Sequence, residues 1–266
     1  MRPKGPFKNG YREVKLHSYR DFYKWITKLT TDTRAPHTGL VFRGQGVSKW
    51  KLEPTLDREL RKLGKVKHPD IRKQHLNQFK DAMRGRRGPN PVRDKDMDDD
   101  EWWALGQHQG LATPLLDWTT SPFAAAYFAY CEEKPQGKKP PPTGRRCVFA
   151  LCQHWVKMTN EKLKKEMPPG KTLEFYTPRT DENPRLVSQA GLFTHAPDGV
   201  RVEDWIKKHS PGKGWNVRLY KFTFPESDRE MALRSLNLMN INHLTLFPDS
   251  HGASNFCNIR LRIPHY

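Results

Sequence analysis

A chain of 266 residues with 47 Lys and Arg against 29 Asp and Glu carries a formal charge of +18. Only 35% of it is hydrophobic, yet 8 Trp, 13 Phe and 8 Tyr supply large apolar areas, so a core can close and the chain folds as one domain. No apolar run is long enough to span a bilayer and the N-terminus lacks an apolar signal core, which argues against membrane insertion and secretion and for a cytoplasmic location.

Residues 1–15 read as a basic N-terminal arm, with 16–266 as the domain proper. Phe22, Trp25, Ile26 and Leu29 recur at helical spacing in Tyr19 to Leu29, with Ser18 as N-cap. Leu40 to Arg43 is a strand running into Gly44-Gln45-Gly46, where Arg43 stands beside uncovered backbone, a good setting for gripping an anion. Trp50 to Leu63 starts extended and continues as a helix, and Ile71 to Met83 is a second amphipathic helix. An exposed loop is expected near 84–100, its acidic end a solvated run that offers favourable charge to a helix beginning near Glu101.

Gln107 to Ala129 crowds a His, an Asp, a Trp, two Thr and a Ser between apolar runs. Polar groups that dense in an apolar segment need buried partners or a site. Here Leu115 to Asp117 reads as a strand, Thr119-Thr120-Ser121-Pro122 as a helix start and Phe123 to Cys131 as the helix. A second exposed loop is expected near 132–146, Pro-rich and basic enough to touch phosphate. Cys147 to Cys152 is a strand that puts its two cysteines on opposite faces. Helices follow at Trp155 to Met167, Val202 to His209 and Glu226 to Leu238, with extended pieces at Phe175 to Pro178 and Val217 to Phe224. Asn183 to Thr194 is a short helical or irregular entry into strand, and Ala253 to Ile263 is a helix or strand packed on the core. The mixed spacing points to an α+β domain rather than regular βαβ units.

The basic surface attracts polyanions, chiefly nucleic acid, with a solvated surface or an acidic partner protein as alternatives. The four cysteines show no zinc-ligand spacing and read as reduced thiols. There is no nucleotide-triphosphate loop, no G-x-G-x-x-G after a strand, no H-E-x-x-H, no G-x-S-x-G and no paired-metal carboxylate motif, so no metal is expected.

Four blocks in order, LVFRGQG with WKLEPTLDREL, then QHQGLATPLLDWTTSPFAAAYFA, RLVSQAGLFT and NINHLTLFPDSHG, resemble the FRG domain, named for Phe-Arg-Gly, here Phe42-Arg43-Gly44. The resemblance spans about residues 40 to 252. More distantly, the chain resembles ADP-ribosyltransferases of the Arg-Ser-Glu class, with Arg43 at the end of an early strand, Thr119-Thr120-Ser121 before an apolar helix, and Gln189 in a late segment. That resemblance implies a split mixed β-sheet with flanking helices and NAD as co-substrate, bound by Arg43, Gly44, Gln45, Thr119, Thr120 and Ser121. Arg43 would hold a phosphate or ribose, and the hydroxyls would orient the nicotinamide ribose.

Because Gln189 stands where many such transferases carry Glu, the base that takes the acceptor's proton falls to His108 or Asp117. Structural alternatives stand beside each role. Arg43 can pair with Asp117, His108 can bond a backbone carbonyl, and Asp117 can cap the helix opened by Ser121 and Pro122. Thr119 to Ser121 can simply start that helix, and Gln189 can satisfy a strand edge. Trp118, Phe123, Tyr127 and Phe128 read as core, and Asp249 as a turn residue. The expected function is ADP-ribosylation of nucleic acid, RNA or single-stranded DNA before duplex, by a toxin or anti-phage effector held by an acidic antitoxin. A non-catalytic nucleic-acid or nucleotide-binding module is the rival, and a nuclease lacks its metal-binding carboxylates. Convergence of Arg43, His108, Asp117, Thr119 and Gln189 on one cleft is the spatial condition for the enzymatic reading.

Overall fold

A computed structural model describes residues 7–31, 39–68, 70–87, 94–131, 144–178, 184–214 and 217–266. In chain order its elements are β1 (Phe7–Lys8), β2 (Tyr11–Lys15), α1 (Tyr19–Thr31), β3 (Leu40–Gln45), α2 (Thr55–Lys62), α3 (Ile71–Ala82), α4 (Asp99–His108), β4 (Leu115–Thr119), α5 (Pro122–Cys131), β5 (Arg145–Cys152) and α6 (Gln153–Glu166). They continue as β6 (Glu174–Tyr176), α7 (Pro184–Ser188), β7 (Gly191–His195), α8 (Val202–His209), β8 (Lys213–Gly214), β9 (Leu219–Pro225), α9 (Arg229–Leu238), α10 (His243–Leu246) and α11 (Ser250–Arg262).

The architecture is α+β, one mixed sheet with flanking helices. Its strand order is β6-β7-β4-β3-β5-β9-β2-β1-β8, in which β1 and β8 are only two residues long. β2 runs parallel to β9, and the other pairings are antiparallel. β5 shows how the sequence builds a central strand. Val148 and Ala150 join one core layer while Cys147, Phe149 and Leu151 join the layer on the opposite face. A strand covered on both faces reads as a continuous apolar run, which is what VFALC is.

The first layer packs α1, α5 and α9 on the sheet through Phe22, Ile26, Ala125, Tyr130, Leu233 and neighbours. The second packs α6 and α8, with Val156, Trp205 and Ile206 buried. A third cluster gathers α2, α3 and α4 around Leu56, Leu76, Trp102 and Trp103. Helix starts follow the expected chemistry. Ser18 Oγ accepts from the Asp21 amide at 3.3 Å while Asp21 Oδ2 accepts from the Ser18 amide at 3.1 Å, a reciprocal cap.

Two expectations change and one is refined. Residues 7–8 and 11–15 are strands of the sheet rather than an arm, since Tyr11 to Lys15 register with Leu219 to Thr223; residues 1–6 lie outside the described residues. Of the loop near 84–100, residues 88–93 lie outside them too; the acidic end is exposed at Asp96, Asp98 and Asp99, as expected, and its carboxylates are also engaged. Asp98 caps α4 by accepting from the Glu101 amide at 2.8 Å, Asp99 pairs with Lys80 at 2.6 Å, and Asp100 meets His195 Nδ1 at 2.7 Å. Of the loop near 132–146, residues 132–143 lie outside the described residues, while Arg145 and Arg146 belong to β5. Arg146 is buried against Glu226 and unavailable to phosphate. Among the described residues no helix is long and apolar enough to cross a membrane.

Candidate functional site

The site begins where the sheet forks. β3 pairs with β5 along all six of its residues but with β4 only at Phe42↔Thr119. β4 in turn pairs with β7 along its full length. Beyond Phe42 the strands part, and Arg43 fills the fork, its Nη1 donating to the Asp117 carbonyl at 2.7 Å and to Asp117 Oδ2 at 3.2 Å. Arg43 Nε is buried with no hydrogen-bond partner. The Asp117 side chain is 63% exposed, so the pair is open to solvent. Gln107 Nε2, from the end of α4, donates to Asp117 Oδ1 at 2.6 Å, and Gln107 Oε1 accepts from the Thr113 hydroxyl. The carboxylate is thus oriented from two sides and exposed on the rest.

Gly44, next along β3, explains why α5 can lie over the fork. A Cβ there would fall 1.9 Å from the Ala125 carbonyl oxygen and 2.6 Å from the Ala129 amide. The alanines of α5, buried at 124, 125, 126 and 129, complete this close approach of helix to strand.

The opposite wall comes from the last quarter of the chain. Gln189, just past α7, donates from Nε2 to the Leu246 carbonyl at 3.0 Å, and its own carbonyl accepts from Thr119 Oγ1 at 2.6 Å. Arg185 on α7 pairs through Nε with Asp249 Oδ2 at 2.6 Å and lies 5.3 Å over the Phe247 ring. Asp249 is no mere turn residue, because its Oδ1 also caps α11 by accepting from the Gly252 amide at 2.8 Å. The Gly252 amide first, and then Arg185, hold its carboxyl below the usual aspartate value. His243 stacks on Phe247 at 4.6 Å and meets the Tyr127 hydroxyl through Nδ1 at 2.6 Å. Burial lowers the His243 pKa and raises that of Tyr127, so a neutral ring accepting the phenol proton accommodates both.

These walls enclose a cavity of about 350 Å³ lined by Arg43, Gly44, Asp117, Thr119, Gln189 and Phe247 among others. An adjoining space of about 170 Å³ shares Asp117, Gln189 and Phe247 and adds Gln107, His108 and Arg185. Burial, then the charge of Arg185, holds the His108 imidazole below its ordinary range, against the opposing pull of Asp249. The ring is therefore neutral near pH 7, a state able to accept a proton. Pockets of a few hundred Å³ with a few convergent polar groups are the size class of small-ligand sites.

Arg43, Gly44, His108, Asp117, Thr119 and Gln189 therefore meet on two adjoining cavities. Gln45 does not join them. It is buried across the sheet, donating to the Lys51 carbonyl at 3.3 Å and facing Cys147. Ser121 caps α5, its Oγ accepting from the Ala124 amide at 3.2 Å, so the capping role considered for Asp117 belongs to it. Thr119 Oγ1 is occupied by the Gln189 carbonyl and by the Ser121 amide at 3.0 Å, and exposed Thr120 lines neither cavity. The hydroxyls thus hold α5 and the following wall in place. Gln107, Arg185, His243 and Phe247 were not singled out from sequence, although all but Gln107 lie in the two late blocks.

Residues 38–138 match the family model of the FRG domain, so this stretch of the chain is similar to that domain. The matched part carries Arg43, Gly44, Gln107, His108, Asp117 and Thr119 to Ser121, whereas the wall formed by Arg185, Gln189, His243 and Phe247 lies beyond it. No curated protein and no solved structure matches the chain.

Proposed function

We propose that the forked cleft binds NAD and transfers its ADP-ribose to a nucleic acid, RNA or single-stranded DNA before duplex. The observation that carries the reading is the open Arg43–Asp117 pair, with an anion-binding guanidinium and an exposed, oriented carboxylate side by side in a cleft. Arg43 lines this cavity with its side chain 20% exposed, which sets a guanidinium donor within reach of a phosphate or ribose oxygen. When the glycosidic C–N bond breaks, nicotinamide leaves with the bonding electron pair and the ribose carbon becomes oxocarbenium-like. Asp117 stabilises that positive charge, Gln189 orders the ribose hydroxyls, and the acceptor atom forms the new bond to the ribose carbon as its proton passes to His108. The net charge of +18 favours a polyanionic acceptor. An ADP-ribosyltransferase-like fold with its sheet split at β3 and β4 accompanies this reading. So does a cytoplasmic toxin or anti-phage role restrained by an acidic antitoxin, because a protein that modifies nucleic acid endangers its host.

The engaged hydroxyl of Thr119 favours a second reading, a nucleotide-binding module without chemistry. Incubation with labelled NAD and RNA, single-stranded DNA or protein separates the two. Transfer of label to nucleic acid, abolished by Arg43→Ala and reduced at least a hundredfold by Asp117→Asn, is the expected result. Binding of NAD with no transfer leaves the module, and failure to bind NAD removes the coenzyme from the reading.

A further inference from the structure

Away from the fork, a cavity of about 440 Å³ opens between β2 and α1. Arg12 and Lys15 from β2 and Lys24 and Lys28 from α1 line it, around a floor that includes Val14 and Trp25. Lys15, Lys24 and Lys28 are exposed, and among the described residues none has an acidic partner. Asp21 also borders the cavity, but its Oδ2 is taken up by the backbone amides of His17 and Ser18 at 3.2 and 3.1 Å. Trp25 is half-buried, packed 6.0 Å from Phe222 and fixed in place by it. Lys24 and Lys28 stand four residues apart on one helix face, where like charges repel and weaken the helix. Helix stability therefore gains nothing from this pair, whereas an anion lying in the groove would relieve it.

Cations around an apolar, aromatic floor form the arrangement that holds a single strand, phosphates on the lysines and a base against the ring. A duplex keeps its base faces stacked inside and cannot use the floor. We propose that this groove is a binding site for single-stranded nucleic acid that holds the acceptor near the cleft, an inference that rests on the nucleic-acid acceptor proposed above. β5 and β9 lie between β2 and β3, so three strand spacings of about 4.8 Å, roughly 15 Å, separate the groove's strand from Arg43's.

Fluorescence anisotropy with a labelled short RNA, the same sequence as DNA, and a duplex tests this on the full chain without NAD. The triple variant Lys15→Ala, Lys24→Ala, Lys28→Ala is expected to lose at least about tenfold in affinity for either single strand. It should also flatten the dependence of log affinity on log salt by about 2, at about 0.7 per phosphate contact. A control with the same charge change at exposed sites elsewhere, Lys65→Ala, Lys67→Ala, Lys73→Ala, should lose less than about threefold. Ultraviolet cross-linking should mark the peptide carrying Trp25. Equal losses in the two triples, or a cross-link elsewhere, overturn the groove but leave the acceptor class standing. Tighter binding of duplex overturns the single-strand assignment, and a wild-type chain that binds no nucleic acid overturns both groove and acceptor.

Discussion

Arg146 and Arg43 stand on neighbouring strands, each donating to a backbone carbonyl and facing a carboxylate, yet they end in opposite states. Arg146 is buried. Its Nε and Nη2 meet the two oxygens of Glu226 at 2.5 and 2.8 Å, and its Nη1 donates to the Ala129 carbonyl at 2.5 Å. Arg43 serves Asp117 through Nη1 alone, keeps Nε without a partner, and opens with Asp117 onto a cavity. The lesson is one of saturation. A guanidinium whose fork is fully matched braces α5 and the turn after β9 against the sheet, whereas one left partly unmatched at an opening is available to a ligand.

The comparison breaks most visibly under substitution. Arg146→Ala leaves the largely enclosed Glu226 carboxylate without its partner and should cost about 3 kcal/mol by urea denaturation; a loss below about 1 kcal/mol would erase the contrast. Gly44→Ala forces a methyl into the Ala125 carbonyl and is expected to cost about 3 kcal/mol, with a lowered Tm, because backbone rather than a flexible side chain must yield. Arg43→Ala should cost only about 1 kcal/mol, as its pair with Asp117 is solvent-screened, while removing label transfer. The smallest effect is the pH response of stability. His108, held low by burial and Arg185, binds fewer protons folded than unfolded, so its contribution is complete above about pH 6.5 and is lost as pH falls towards the folded value. Burial also pulls His195 down, but the hydrogen bond and charge of Asp100 outweigh it and raise its pKa. Its contribution is full below about pH 6.5 and fades as pH rises through the folded value. His108→Asn should flatten the acid side of the stability profile and His195→Gln the alkaline side; identical profiles for both would contradict these directions.

Local pattern made most helices legible. Val202 to His209 alternates buried and exposed positions at helical spacing, and the structure begins and ends α8 at those residues. The dense Gln107 to Ala129 segment announced the site because its polar groups had nowhere apolar to go. What stayed hidden depends on distant partners. Arg146 follows a basic, Pro-rich stretch and reads as exposed until Glu226, 80 residues on, is found beside it. Tyr11 to Lys15 reads as arm until β9 supplies a parallel neighbour. The hydroxyl residues stayed ambiguous for the opposite reason, since a helix start and a ribose contact call for the same residue types, and only geometry shows Ser121 capping α5 and Thr119 bridging to Gln189. Arg185 and Phe247 lay inside recognised blocks, but neither spacing nor periodicity links them across 62 positions.

The position of β9 between β5 and β2 has a consequence for biosynthesis. A nascent chain emerging from the ribosome exposes one edge of β2 and one of β5 until residues 219–225 are translated, and the cleft lacks a wall until residues 243–249 follow. Long-range pairing of this kind is slow to form. Newly made chains thus pass through an interval with open strand edges and an incomplete cleft, the stage at which edge-to-edge association between chains is easiest.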